Sequence, residues 1–296
     1  MEEIYYLDIE CIERGSEKYP RRLRQLRGMP KKLYVRGELP RDDRPTIAIV
    51  GARACSAYGR RQAFLYAQEM SRAGVQVISG LAAGIDGRAH SGALEGGTPT
   101  FAVLGSGVDI CYPKQHDSLY RQVWQSGGLI SEKKPGTMPL GCYFPARNRI
   151  ISGLADVVLV IEAREKSGSL ITVDFAMEQG KSVYALPGPV DSSLSRGCHQ
   201  LLEQGAGVAG SPQKILEEWG IQRETREDSA KKNSVRLARD LNLVYNGLDL
   251  QPKNLHEIVE YTHFSVTKTI NCLTELELEG LVERIGHNFF VKKTIL

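Results

Sequence analysis

Thr46-Ile47-Ala48-Ile49-Val50-Gly51-Ala52-Arg53 decides the fold. A short, mostly apolar run with no polar face enters a glycine turn that carries a basic side chain. A strand that is apolar on both sides must be covered on both, the condition of a parallel sheet between layers of helices. The same phrase recurs downstream. Residues 75–78 are followed by Ser79-Gly80-Leu81-Ala82-Ala83-Gly84, and residues 100–104 by Gly105-Ser106-Gly107. Leu129-Ile130, then residues 157–161 with Glu162 at their end, then residues 183–186 before Pro187-Gly188 continue the series, with helical segments between them. The alternation predicts βαβ units. The fold class is α/β, a Rossmann-like, doubly wound and mostly parallel sheet over residues 42–220.

Working outward, residues 1–41 form a basic lead-in, with breaks at Tyr19-Pro20 and Met29-Pro30 and an apolar alternation at Leu33-Tyr34-Val35. One short helix and one strand are expected there, and the Arg and Lys residues suit a solvated face as well as a phosphate-facing one. On the other side, Glu217, Glu218 and Trp219 close the last helix, and residues 221–233 are polar and charged, without apolar periodicity, as in a linker. From 234 to 296 the pattern changes. Leu255, Ile258 and Val259 share one helical face, a turn follows at Thr262-His263-Phe264, and Val266, Ile270, Leu273, Leu276 and Leu278 continue a second helix. Gly280 stops it, and residues on either side of Gly286-His287 predict a β-hairpin. Helix, turn, helix and hairpin are the order of a winged helix.

The whole chain has 38 Lys+Arg against 35 Asp+Glu over 296 residues, a formal net charge of +3. Affinity for a polyanion must therefore come from a local patch, because the field of the whole molecule is weak. The six cysteines lie in no C-x-x-C pair, and no His stands at metal-ligand spacing, which argues against a zinc site and a disulfide framework. Reduced thiols in the cytoplasm are the expectation. MEEIYYLDIE at the N-terminus lacks a basic segment followed by an apolar core, and no run of apolar residues is long enough to span a bilayer.

In a doubly wound sheet the ligand crevice lies outside the carboxyl ends of the strands. The turns bearing Gly51, Gly80, Gly84, Gly105 and Gly107 thus converge on one rim, where backbone N–H groups and helix N-termini favour an anion. None of them spells G-x-G-x-x-G, and no acidic residue marks a dinucleotide site, so a nicotinamide cofactor is not indicated. Phe144-Pro145-Ala146-Arg147-Asn148-Arg149-Ile150-Ile151-Ser152-Gly153 is the second informative stretch. It places Arg147 and Arg149 where both can fork onto phosphate oxygens, with Asn148 to bond a base, a sugar or the backbone.

Taken in order, these segments resemble the core of the DprA/Smf family of bacterial DNA-processing proteins. The resemblance rests on Gly51-Ala52-Arg53 with Ser56, Tyr58 and Gly59, on residues 79–86 with Ala89-His90, and on Gly105-Ser106-Gly107-Val108-Asp109 with Tyr112-Pro113. It continues through residues 144–153, Glu162-Ala163, Ser167-Gly168-Ser169-Leu170-Ile171-Thr172 and Ala185-Leu186-Pro187-Gly188, covering roughly 18 to 215. It implies a non-enzymatic protein, without metal or cofactor. Such a protein binds single-stranded DNA without strong sequence preference, protects it during natural transformation and helps load the RecA recombinase. It also implies a homodimer formed through the Rossmann-like domain. Carried over by position, the pocket comprises Arg53, Ser56, Gly80, Arg147, Asn148, Ser167 and Gly168, with Lys133 and Lys134 from the loop after Leu129-Ile130; Ser169 belongs to the same motif. Lys133-Lys134 departs from the family pattern, where an aromatic or apolar residue often follows Ser131-Glu132. Many relatives also carry a helical domain ahead of the lead-in, which is expected to be missing here.

Two other readings are open at this level. A nucleoside-monophosphate phosphoribohydrolase would use the loop at residues 167–172 for phosphate and a carboxylate, Asp174 or Glu178, from the helix after it. A duplex-binding regulator would use the second helix of the winged helix, where Lys268 and Asn271 stand. Glu275, Glu277 and Glu279 on that helix oppose phosphate, and residues 234–296 hold seven Lys/Arg against eight Asp/Glu, which favours a protein contact for that domain.

Overall fold

The computed structural model describes residues 8–221, 239–248, 252–285 and 288–292. The chain divides into two compact units, Met1–Glu224 and Thr225–Leu296. In the first, the chain runs β1 (Ile9–Glu13), α1 (Arg21–Arg24), β2 (Lys32–Gly37), β3 (Thr46–Val50), α2 (Ala57–Arg72), β4 (Gln76–Ser79), α3 (Ile85–Gly96) and β5 (Thr100–Val103). It continues through α4 (Asp117–Ser126), β6 (Gly128–Ser131), α5 (Tyr143–Leu154), β7 (Val157–Val160), α6 (Leu170–Glu178), β8 (Ser182–Ala185), α7 (Arg196–Glu203), β9 (Gly207–Val208) and α8 (Pro212–Glu218).

The nine strands form one sheet in the order β1-β2-β6-β5-β4-β3-β7-β8-β9. From β6 to β9 every pairing is parallel; β2 runs antiparallel to both β1 and β6. The chain builds outward from β3 on one side, then crosses to β7 on the other, so the direction of winding reverses between β3 and β7. Alternation explains the layers. Ala48, Val50, Val158 and Val160 point into a core shared with Ile150, Ile151 and Leu154 of α5, Val173 and Ala176 of α6, and Leu201 of α7. Ile47, Ile49, Val157 and Leu159 point the other way, onto Tyr66 and Met70 of α2, Ile85 and Ala89 of α3, and Ile215 of α8.

The lead-in contributes two strands where the apolar pattern predicts one. Its cations also serve the fold. Arg22 is ion-paired to Asp156 at 2.8 Å and donates to the Leu154 and Arg44 carbonyls. Arg14 and Arg24 donate to carbonyls of the turns around them. A loop that packs against a sheet must satisfy its backbone acceptors, and guanidinium groups supply several donors each.

The second unit consists of α9 (Arg239–Gly247), β10 (Lys253–Asn254), α10 (Leu255–Thr262), α11 (Val266–Leu278), β11 (Val282–Ile285) and β12 (Phe289–Lys292). Asn254 and Glu257 form a reciprocal capping box that starts α10. The strands make an antiparallel sheet, β10-β12-β11, over a core that includes Leu241, Val244, Ile258, Leu273, Leu276 and Phe290. The linker proposed for 221–233 lies outside the described residues from 222 onward, as does the Gly286-His287 turn.

Candidate nucleic-acid interface

A cleft of about 640 Å³ opens at the carboxyl ends of β3 and β7, where the winding reverses. One wall is the loop from Gly51 to Ala54; the other is the loop holding Arg164, Lys166, Ser167, Gly168 and Ser169. The N-terminal half of α5 supplies Phe144, Arg147 and Asn148. Arg53, Arg164 and Lys166 are exposed, and none of them forms an ion pair among the described residues. The Arg53 guanidinium stands 5.2 Å from the centre of the Phe144 ring. Tyr112, which is 44% exposed, lies against the same ring with centroids 5.4 Å apart. The site is thus a cationic rim around an aromatic face.

The floor is a buried polar network. Arg147 is only 4% exposed. Its Nη1 donates to the Gly80 carbonyl at 2.8 Å and to the Val103 carbonyl, and its Nε donates to Asn148 Oδ1 at 3.1 Å. Burial lowers the Arg147 pKa to about 10, opposed by the attraction of the nearby Asp86 carboxylate. Asp86 accepts from the Gly80 N–H, and burial raises its pKa while Arg147 pulls the other way. Asn148 Nδ2 donates to the Gly168 carbonyl at 3.3 Å and so ties α5 to the opposite loop.

Residues 10–220 match the model of the family described as DNA recombination-mediator protein A. The chain belongs to that family. Protein Smf of Escherichia coli is 38% identical over 282 residues, 93% of this chain and 75% of the E. coli protein. DNA processing protein DprA of Streptococcus pneumoniae is 43% identical over 201 residues, 68% of this chain and 71% of its own length. The X-ray structure of that protein superposes with a TM-score of 0.68 at 39% identity, covering 73% of this chain and 76% of the other. A solved DNA processing protein A from Helicobacter pylori, whose structure addresses its single-stranded DNA binding mode, matches with a TM-score of 0.66 at 29% identity, covering 73% of this chain and 97% of the other.

Among the residues predicted for this family's pocket, Gly51, Arg53, Arg147, Asn148, Ser167, Gly168 and Ser169 line the cleft. Arg147 and Arg149 stand in different surroundings. The stretch is helical, and residues two apart on a helix point about 200° away from each other. Arg149 accordingly turns elsewhere: it pairs with Glu132 after β6 at 2.6 Å and donates to the Gly28 carbonyl of the lead-in and to the Ala146 carbonyl of its own helix. Arg147 reaches the floor, but its guanidinium is committed to the Gly80 and Val103 carbonyls and to Asn148.

Ser56 is also engaged elsewhere. Its hydroxyl and N–H donate to Glu162 at 2.5 and 2.9 Å, and its oxygen caps α2 through the Gly59 N–H. Gly80, Gly84, Gly105 and Gly107 lie outside the lining. A side chain on Gly80 would collide with Arg147, one on Gly105 would press on Phe144 at 2.9 Å, and one on Gly107 would meet the Lys134 carbonyl at 2.8 Å. Lys133 and Lys134 are outside it too; the Lys133 ammonium sits over the Tyr143 ring at 4.1 Å, and Lys134 is exposed. The motif pattern passed over Arg164 and Lys166, although they stand between Glu162-Ala163 and Ser167-Gly168-Ser169, directly after the switch strand. Position at the sheet's switch point is the signal for Arg164 and Lys166, whereas Tyr112 follows β5 and reaches the cleft only through its contact with Phe144.

The carboxylates required by a phosphoribohydrolase are not in the cleft. Asp174 and Glu178 are exposed on α6 outside the lining, and Asp86 is the sole acid among the described residues that line the cleft. No helix among the described residues is long and apolar enough to cross a membrane.

Proposed function

We propose that this chain binds single-stranded DNA in the cleft without strong sequence preference, with Arg53, Arg164 and Lys166 on phosphates and the Phe144–Tyr112 pair offering stacking faces to bases. The observation that carries the reading is the juxtaposition of three cations, without an ion pair among the described residues, with an aromatic face formed by exposed Tyr112 and half-buried Phe144. Phosphates demand the first, and bases can use the second only when they are not already stacked in a duplex. Ser167, Gly168 and Ser169 would close on the backbone from the opposite wall. Membership of the recombination-mediator family supports the wider role of protecting such strands, acting as a homodimer and helping to load RecA in the cytoplasm during transformation.

We read the second unit as a winged helix that meets a protein rather than a duplex. Lys268 is drawn into an ion pair with Asp240 at 2.7 Å, and its ammonium covers the Phe264 ring. Glu275, Glu277 and Glu279 stand exposed at the end of α11.

The test is a fluorescence-anisotropy titration with an oligo-dT strand and a matched duplex at two salt concentrations. The wild type is expected to prefer the single strand. Arg53→Ala combined with Arg164→Ala and Lys166→Ala is expected to weaken it by roughly tenfold or more and to flatten the salt dependence. Arg147→Ala is expected to behave differently, costing on the order of 3–5 kcal/mol of stability because it strips the buried Gly80 and Val103 carbonyls of their donor and the buried Asp86 carboxylate of an attracting charge. Full affinity in the folded triple variant overturns the assignment of the rim.

A further inference from the structure

We infer that a second depression, on the face made by α2 and α3, carries the sugar-phosphate backbone of the bound strand beyond the cleft. The inference rests on the single-strand reading proposed above. The depression measures about 810 Å³ and is lined by Arg53, Arg60, Phe64, Gly84, Arg88 and His116, among others. Arg53 lines the cleft as well, so phosphates leaving the cleft past this side chain enter the depression without a break.

The cations here are held for a ligand rather than for the fold. Arg60 donates from Nη1 to the Cys55 carbonyl at 3.1 Å, which holds its guanidinium beside the Arg53 loop, and the residue is exposed. Arg88 is exposed on α3, with its guanidinium 5.5 Å from the centre of the Phe64 ring. Such a contact orients the charge without consuming N–H donors. Among the described residues neither arginine forms an ion pair, in contrast to Arg22, Arg36 and Arg149 of the same unit, each of which has a carboxylate within 2.8 Å. Glu95 lines the depression too. Seven residues along α3 from Arg88, it lies roughly 10 Å further on and sets where a phosphate path must end. The other occupant for such a patch, an acidic peptide, has no use for the continuity through Arg53.

The experiment uses the full chain and oligo-dT strands increasing from about 4 to about 16 nucleotides, the range that single-strand-binding folds occupy. Wild-type affinity is expected to keep rising with length after the cleft is filled. R60A/R88A is expected to bind the shortest strand as the wild type does but to lose the rise, binding the longest about tenfold more weakly, with a salt slope shallower by about 1.4 for two lost phosphate contacts. R60K/R88K keeps the charge and is expected to keep most of that slope. An R60A/R88A variant with the wild-type length dependence and slope overturns this inference while leaving the cleft assignment intact. Equal weakening on short and long strands also overturns it, because the two residues would then act on the cleft itself. A wild-type protein that binds no strand of any length removes the cleft reading and this one together.

Discussion

His90 shows how one buried side chain couples the stability of the fold to pH. Its Nδ1 lies 2.8 Å from Thr100 Oγ1, whose own proton goes to the Val77 carbonyl at 2.9 Å. The imidazole must therefore donate from Nδ1, which leaves Nε2 a bare acceptor, buried and without a partner among the described residues. Burial drives the pKa down to about 3, and the charges of His116 and Arg147 push in the same direction. An unfolded histidine titrates near ~6.5, so below that value the unfolded chain takes up a proton that the folded one refuses. The contribution is complete above ~6.5 and declines as pH falls toward the folded value, by about 1.4 kcal/mol per pH unit. Chemical denaturation between pH 7 and pH 5 is expected to show this loss, and His90→Gln to reduce the slope by one proton's worth. The same slope in the variant would mean that His90 is not the group responsible.

At the scale of the element, the turn between β4 and α3 places both the rim and the floor. Leu81 and Gly84 take the left-handed backbone region, at φ 56° and 82°, and Gly84 lies against the carbonyls of Ala52 and Arg53. Gly84→Ala is expected to cost about 1–3 kcal/mol through strain and collision and to shift the Arg53 loop. Gly168, across the cleft, has open space where a Cβ would stand, so Gly168→Ala is expected to stay within about 0.5 kcal/mol of wild type. Thermal melts of the two variants compare them directly; equal loss from both would contradict the packing described for Gly84. The strands β3 to β7 were legible because a run buried on both faces admits little besides apolar residues. The strand β1, Ile9-Glu10-Cys11-Ile12-Glu13, was not, because it is an edge strand with charged residues exposed along it. The strand β9 is two residues long and offers no pattern to read.

In the whole molecule, charge is placed rather than accumulated. With a net +3 over 296 residues, attraction for a polyanion depends on which cations the fold leaves unpaired. The first unit holds the cleft and its own cores, and the second has a separate core. A chain ending at 221 is therefore expected to bind oligo-dT within about twofold of the full chain, since the removed part is nearly neutral. A loss of about tenfold or more would place the second unit in the DNA path. By itself, the sequence determined the parallel doubly wound sheet and the family, since apolar periodicity and ordered motifs are properties of neighbouring residues. Only the tertiary structure decided which arginines are available. Arg53, Arg60, Arg88 and Arg164 are exposed and form no ion pair among the described residues, whereas Arg22, Arg147 and Arg149 are consumed by carbonyls and carboxylates that lie far away in the chain. A guanidinium's role is set by the acceptors within its reach, and those are brought there by packing.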